Sequence, residues 1–187
     1  MGTAQNYEGA PFQTLHSNPV PKCISKLSSN NNNINITYVK FGDEKLSEIL
    51  TDNEMLKILF ECRLGIKKSI ELTHFNDKRP ELKNIIITNL QNNIGYVFNG
   101  EKFEAKPKDD ILGDLFDKHL INIENYINES DILQTKIQNN TVLDKIVNYR
   151  FPKFIEDLNN DKYRIEKINE LKLLTYNKSD SKALRIN

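Results

Sequence analysis

Short apolar and β-branched runs near the middle of the chain predict a β-meander. The runs span residues 84–88, 95–98 and 101–105, and they carry the residue types that favour strands. Asn99-Gly100 stands between the second and third runs. Because both residues tolerate positive φ, this pair predicts a tight hairpin. We therefore expect three antiparallel strands that follow one another along the chain.

Alternation of apolar and polar residues predicts one more strand before the meander. Residues 34–41 alternate with period two, as a half-buried strand does, and Gly42 follows them. We expect this extra strand near 34–41 to join the meander.

Apolar residues at three- and four-residue spacing predict helices on both sides of the meander. The predicted helices span 44–50, 53–64, 66–75, 107–128, 131–138, 142–150 and 162–176. Gly65 is placed to end the second helix, Pro107 to start the long fourth one, and Pro152 to break or kink the chain. The predicted fold class is α+β, a small antiparallel meander packed against several helices, with the long helices C-terminal.

Changes in composition divide the chain into four parts. Residues 1–29 contain Pro11, Pro19 and Pro21 and predict an extended arm. Residues 30–33 form an Asn-rich linker, residues 34–178 the α+β domain, and residues 179–187 a polar tail. Such an arm is either disordered or lies on a partner. Irregularly spaced apolar residues in the arm favour docking on a partner, and they are Phe12, Leu15, Val20 and Ile24.

Charge and cysteine content limit the function classes. Lys+Arg and Asp+Glu both number 26, so the formal net charge is +0. The basic excess typical of proteins that grip duplex DNA is absent overall. Cys23 and Cys62 lie far apart, which favours two free thiols over a disulfide or a zinc site. The sequence shows no membrane span and no secretory signal, and Asn6 departs from the N-myristoylation pattern.

His74 lies in the most conspicuous polar cluster, which continues through Phe75 and Asn76. It could act as a general base beside Asp77 or Glu81. We favour the alternative that Asn76 and Asp77 close the turn after the helix. His119 is predicted to be a solvated or a helix-flank residue of a long amphipathic helix. The sequence lacks phosphate-cradling glycine loops, serine elbows and short-spaced Cys/His pairs, so we assign no catalytic, cofactor or metal residue.

Two further patterns bear on partners. A basic cluster brackets His74 and could contact phosphate, although nearby acids allow a solvated face instead; it comprises Lys67, Lys68, Lys78, Arg79 and Lys83. Aromatic residues on the predicted strands could stack bases, although core positions are the commoner use; they are Tyr38, Tyr96, Phe98 and Phe103. Leu/Ile stripes over 115–127 and 165–174 leave self-association open.

Residues 30–178 resemble a domain of uncharacterised proteins of giant viruses, a mimivirus-like family. The resemblance rests on the Asn-rich linker, on Phe41-Gly42-Asp43-Glu44-Lys45-Leu46, on His74-Phe75-Asn76, on Pro80 and on Asn84-Ile85-Ile86-Ile87. In that family an N-terminal zinc finger often precedes the domain, and this chain has the arm instead. The resemblance implies a viral origin and the order of the elements, but no activity and no catalytic residue.

The hypothesis that follows is a non-enzymatic structural or protein-interaction component of a large DNA virus. It would dock on other viral proteins through residues 1–29, without a cofactor. The alternative is a nucleic-acid-associated regulatory protein that binds phosphate through the basic cluster. A nuclease or other enzyme is the third hypothesis. We expect the protein in the host cytoplasm or the viral factory, with the virion as a further location.

Overall fold

The meander predicted from the middle of the chain is present. In the computed structural model, which describes residues 36–179, β1 (Ile85–Ile86), β2 (Ile94–Phe98) and β3 (Phe103–Pro107) form an antiparallel sheet in the order β1-β2-β3. Phe98 lies opposite Phe103, so a four-residue loop closes the second hairpin. In this loop Gly100 takes the positive φ, at +104°. Asn99 contributes through its side chain, which accepts hydrogen bonds from the N–H groups of Glu101 and Lys102.

The extra strand predicted near 34–41 is wrong for residues 36–41, which form no ladder with the sheet. Two backbone hydrogen bonds still hold this part of the chain. The Val39 N–H donates to the Glu81 carbonyl at 2.8 Å, and the Phe41 N–H donates to the Phe98 carbonyl at 2.8 Å. The arm at 1–29, including Phe12, Leu15, Val20 and Ile24, lies outside the described residues. The linker and the tail beyond Ser179 lie outside them too.

Helices flank the meander as the spacing predicts, and the fold is α+β. Three precede it: α1 (Leu46–Ile49), α2 (Asp52–Glu61) and α3 (Gly65–His74), with a 3₁₀ turn at Cys62–Leu64 and another at Pro80–Leu82. The rest follow it: α4 (Lys108–Glu129), α5 (Asp131–Gln138), α6 (Thr141–Lys145), α7 (Phe151–Asp157) and α8 (Asp161–Lys178). None of these helices combines the length and apolar composition needed to cross a bilayer.

Gly65 begins α3 instead of ending α2, so its predicted role is wrong. Cys62 takes the positive φ at the end of α2, at 47°. Gly65 has helical φ and ψ, and a Cβ atom there would lie 2.8 Å from the carbonyl oxygen of Ile58. The glycine is therefore required because α2 and α3 approach closely, and a preference for left-handed backbone plays no part.

Gly65→Ala is expected to lower the free energy of unfolding by about 1 to 3 kcal/mol, because the added methyl group must push two helices apart. Gly113 in α4 is the matched control, since a Cβ there meets nothing within 4 Å. Gly113→Ala should raise stability by up to about 1 kcal/mol through helix propensity. Urea unfolding of both variants measures the two effects. Equal shifts for the two variants would contradict the contact with Ile58.

Pro152 does not break the helical path. α6, a π-helical turn at Ile146–Arg150 and α7 follow one another without interruption. A proline has no N–H to donate and its ring excludes the carbonyl four residues earlier. The π turn, with the Phe151 N–H donating to the Ile146 carbonyl, provides the altered hydrogen bonding next to it.

α4 is the central element of the core. It contacts α1, α3, α5 and α8 as well as β2 and β3. Its buried apolar side chains recur at three- and four-residue spacing and are Ile111, Leu112, Leu115, Phe116, Ile123 and Ile127. α8 packs against the body through Leu171 and Leu174, whereas Ile165 and Leu173 of the same predicted stripe are exposed. The stripe of α8 therefore serves the core in part only.

Candidate functional site

A continuous chain of polar side chains runs through the core from Ser69 to Glu44. Ser69 Oγ lies 2.7 Å from His119 Nδ1, and His119 Nε2 lies 3.1 Å from His74 Nε2. His74 Nδ1 lies 2.9 Å from Asn84 Oδ1, with the Leu82 carbonyl also in reach at 3.2 Å. Asn84 Nδ2 donates to Glu44 Oε1. We call these five residues the polar chain.

Four separate parts of the fold supply the polar chain. α3 carries Ser69 and His74 on its buried side, and α4 brings His119 against both. The 3₁₀ turn at Pro80–Leu82 leads into Asn84, whose own carbonyl accepts a hydrogen bond from Phe98 in β2. Glu44 precedes α1, and its second carboxylate oxygen accepts from the Gly42 N–H at 2.6 Å.

The bonding partners assign a direction to the whole chain. Asn84 Nδ2 faces two acceptors, the Val39 carbonyl and Glu44, so Asn84 Oδ1 must be the atom facing His74. His74 Nδ1 therefore donates, and in a neutral ring its Nε2 accepts. His119 must then donate from Nε2 and accept at Nδ1 from the Ser69 hydroxyl. Every group donates toward Glu44, and no donor faces another donor while both imidazoles are neutral.

Burial lowers the pKa of both imidazoles. Desolvation is the main cause for His74, and the Glu44 carboxylate opposes it. His119 is shifted further, well below its ordinary value, because burial adds to repulsion from His74 and from Lys118. Ser69 is 0% exposed, His74 1% and His119 3%. A substrate has no path to these atoms in this conformation, so the chemistry the arrangement supports is proton movement within the core.

A small cavity lies beside the two imidazoles. Its volume is about 10 Å³, which is about the room that one water needs. Phe41, Glu44, Lys118 and Asn122 are among its lining residues. Within residues 36–179, no three His, Cys, Asp or Glu side chains come together as metal ligands would.

His74 does not pair with the carboxylates proposed for it from the sequence. Asp77 is exposed and binds Lys83 Nζ at 2.5 Å instead. The prediction that Asn76 closes the turn is confirmed, since its side chain accepts from the Lys78 N–H at 3.0 Å. The prediction of a solvated His119 is wrong. It is buried because the face of α4 that carries it packs against α3. The sequence around it, with Lys118 and Leu120 on either side, does not indicate that packing.

The basic cluster predicted to contact phosphate is largely paired with acids. Arg79 binds both carboxylate oxygens of Glu54, at 3.2 and 2.9 Å, and also donates to the Leu72 carbonyl. Lys68 pairs with Glu71, and Lys83 with Asp77. Lys67 and Lys78 are exposed. Arg79 thus belongs to a partly buried ion pair, and the four lysines belong to a surface of mixed charge.

Arg79→Met is expected to raise the pKa of Glu54, which is lowered from 4.5 to about 2 mainly by hydrogen bonds from Arg79 and further by those from Thr51. A lowered carboxylate pKa stabilises the fold above pH 4.5 and loses that contribution as pH falls toward 2. The variant should therefore be about 2 kcal/mol less stable at pH 7, with a smaller deficit in acid. NMR titration of Glu54 and urea unfolding measure both effects. Lys45→Met removes an exposed pair with Glu48 and should change little.

The aromatic residues proposed as a stacking platform pack against one another. The rings of Tyr38 and Phe98 have centroids 5.5 Å apart, and Phe103 lies 5.4 and 5.6 Å from them. Phe98 is buried in the core and the other two are half-buried. Tyr96 lies on β2 and is also half-buried. The interpretation of these rings as core residues is confirmed for Phe98.

An open recess lies where α2 ends beside the π turn. Its volume is about 580 Å³, and its lining comprises Phe60, Glu61, Cys62, Arg63, Leu64, Tyr149, Arg150 and Lys153. We call it the recess. Tyr149 is 69% exposed, Phe60 48% and Leu64 45%. Phe60 and Leu64 are four residues apart, which is a helical spacing, and the fold leaves both side chains partly outside the core.

No protein-family model matches the chain, and no curated protein or solved structure is significantly similar to it.

Proposed function

We propose that this chain is a non-catalytic protein-interaction component, which binds a partner through its recess and through residues 1–29. The observation that carries the proposal is the exposure of Phe60, Leu64 and Tyr149 around one concave surface. Aromatic residues and arginine are the types that contribute most to protein interfaces. The burial of Ser69, His74 and His119 supports a structural role for those groups, not a catalytic one.

The recess is lined by three basic residues and one acidic residue, Glu61, which favours a partner segment that is apolar and carries a carboxylate. Arg63 and Lys153 share the carboxylate of Asp157, and Lys153 also binds Glu156. Arg150 is exposed on the rim, next to Tyr149. Residues 1–29 contain Glu8 against Lys22 and Lys26. The chain's own arm therefore matches this surface less well than an acidic segment of another protein does.

Peptide binding tests the recess directly. The full-length chain, labelled with ¹⁵N, is titrated with apolar peptides that carry either acidic or basic residues and are otherwise identical. Acidic peptides should shift the amide signals of Phe60, Leu64 and Tyr149, and R150E should weaken their binding by about tenfold or more. Ile121→Ser is the control. Ile121 is an apolar residue on α4 that is about as exposed as Phe60, and its replacement should leave peptide binding unchanged.

Other occupants are separate outcomes of the same experiment. A mass of two chains in light scattering that Tyr149→Ser returns to one would identify a second copy in the recess. Salt-sensitive shifts of Lys67 and Lys78 with a short DNA duplex would favour the nucleic-acid-associated regulator instead. An absence of peptide shifts at the recess would overturn its assignment as the interface.

The resemblance to giant-virus proteins supports the proposal that the partner is a protein of a large DNA virus. Under this proposal residues 1–29 provide a second contact, through Phe12, Leu15, Val20 and Ile24. Deletion of residues 1–29 should then weaken binding of a partner identified through the recess while peptide binding at the recess persists. Unchanged affinity for the whole partner after the deletion would remove the arm from the proposal.

A further inference from the structure

We propose that the His74–His119 pair is a pH-sensitive latch that holds residues 39–44 against the body and releases them when the pair takes up a second proton. Residues 39–44 are called the strap below. The inference follows from the direction of the polar chain, from the position of the strap over the pair and from the small number of hydrogen bonds that hold the strap.

The pair can accept one proton without breaking the polar chain. A proton added at His119 Nδ1 meets Ser69 Oγ, which can accept once the serine hydroxyl turns toward the helix carbonyl four residues earlier. His119 Nε2 still donates to His74 Nε2, and His74 Nδ1 still donates to Asn84. The singly protonated pair therefore keeps all of its hydrogen bonds.

A second proton leaves an N–H group without a hydrogen-bond acceptor. The proton must bind His74 Nε2, which places two N–H groups opposite each other across 3.1 Å and two positive charges inside the core. The charged groups that act on the pair are Glu44 from the strap and Lys118 from α4. Lys118 repels both imidazoles, and Glu44 is the nearby carboxylate that attracts His74. The closed state therefore excludes the second proton.

The strap is the part whose release hydrates the pair at least cost. Phe41 and Glu44 of the strap line the cavity beside the two imidazoles. The strap contains no helix or strand. It is held by the backbone bonds of Val39 and Phe41, by the Asn84 side chain and by the half-buried Phe41 ring, which lies beside His74 and under the Lys118 ammonium. α3 and α4, by comparison, are packed into the core along their length. Opening the strap admits water to His74 without separating the helices.

The expected size follows from proton linkage. An imidazole that is neutral when the strap is closed and titrates near 6.5 when it is open makes opening about tenfold more favourable between pH 7.5 and pH 5.5. Exclusion of both protons would make the change about 100-fold. Since the singly protonated pair keeps its bonds, the result should lie between these two limits.

Amide hydrogen exchange of the full-length chain tests the latch. The amides of Val39 and Phe41 report the strap, and that of Ile123 in α4 reports global unfolding. After correction for intrinsic rates, strap protection should fall by between tenfold and 100-fold from pH 7.5 to pH 5.5. The exchange of the strap amides should also be insensitive to low urea. That result would show local opening, because only global unfolding carries a large urea dependence. Strap exchange that matches Ile123 in urea dependence would overturn the proposal.

Histidine variants provide the control. His16→Gln removes the one histidine outside the pair and should keep the full pH dependence. The double variant H74Q/H119Q should lose it, and retention of the fall in strap protection would contradict the latch. If that variant fails to fold, imidazole ¹³C NMR of the wild type decides. The signals of His74 and His119 must then titrate together with the loss of strap protection, and titration without that loss would also overturn the proposal.

Discussion

Asn84→Leu is expected to lower the free energy of unfolding by about 3 to 4 kcal/mol at pH 7, because buried groups that lose a partner keep their desolvation cost. The side chain of Asn84 joins Val39, Glu44 and His74, and leucine of similar size replaces none of these bonds. Urea unfolding measures the effect. Asn125→Leu, at an exposed position on α4, is the matched control and should stay within about 0.5 kcal/mol of wild type.

Asn84→Asp separates the loss of hydrogen bonds from a simple change of shape. The aspartate keeps the size of the side chain but loses both donors and adds a carboxylate next to Glu44. Burial and the neighbouring carboxylate raise the pKa of the new group, so its cost is greatest at neutral pH and falls on acidification. Asn84→Asp should thus approach wild-type stability as pH decreases, whereas Asn84→Leu should not. A cost below about 1 kcal/mol for both variants would mean that the polar chain contributes little.

The sequence predicts the elements of this fold well because each has a local signal. Period-two and β-branched runs mark the meander, and three- and four-residue spacing marks the helices. Residues 36–41 show where a local signal fails. Residues 36–39 are all half-buried, so burial does not alternate along the segment. The neighbouring backbone offers Val39 and Phe41 single carbonyls of Glu81 and Phe98, not a ladder. Strand pairing depends on the backbone groups of a neighbouring strand, and the sequence of one segment does not show whether such a neighbour is present.

The polar chain was less predictable because its members are distant in sequence. Gly42, Glu44, His74 and Asn84 come from separate segments of the sequence, and the structure joins these four through hydrogen bonds. They thus meet at one place in the core, which gives them a structural use without assigning an activity. Ser69 and His119 carried no signal of their own. Their contact depends on how α3 packs on α4, which spacing within either helix does not specify.

Acidification from pH 6.5 to pH 4.5 is expected to lower the free energy of unfolding by about 2.3 kcal/mol for each imidazole that stays neutral in the folded state, hence by about 2 to 5 kcal/mol for the pair. The sign follows from the lowered pKa of His74 and His119. The unfolded chain takes up more protons below about 6.5 than the folded chain does, so stability is full above that pH and decreases below it.

The interval between pH 6.5 and pH 4.5 separates the effect of the histidines on stability from that of the carboxylates. Glu54 and Glu71 also have lowered pKa values, but a carboxylate contributes its full stabilisation above 4.5 and loses it only below. Urea unfolding at several pH values in this interval therefore reports the imidazoles. His16→Gln should follow the wild-type curve, and H74Q/H119Q should be flat until the carboxylates titrate. Stability that is constant from pH 6.5 to pH 4.5 in the wild type would show that the folded protein accepts both protons, and the directed polar chain would then be wrong.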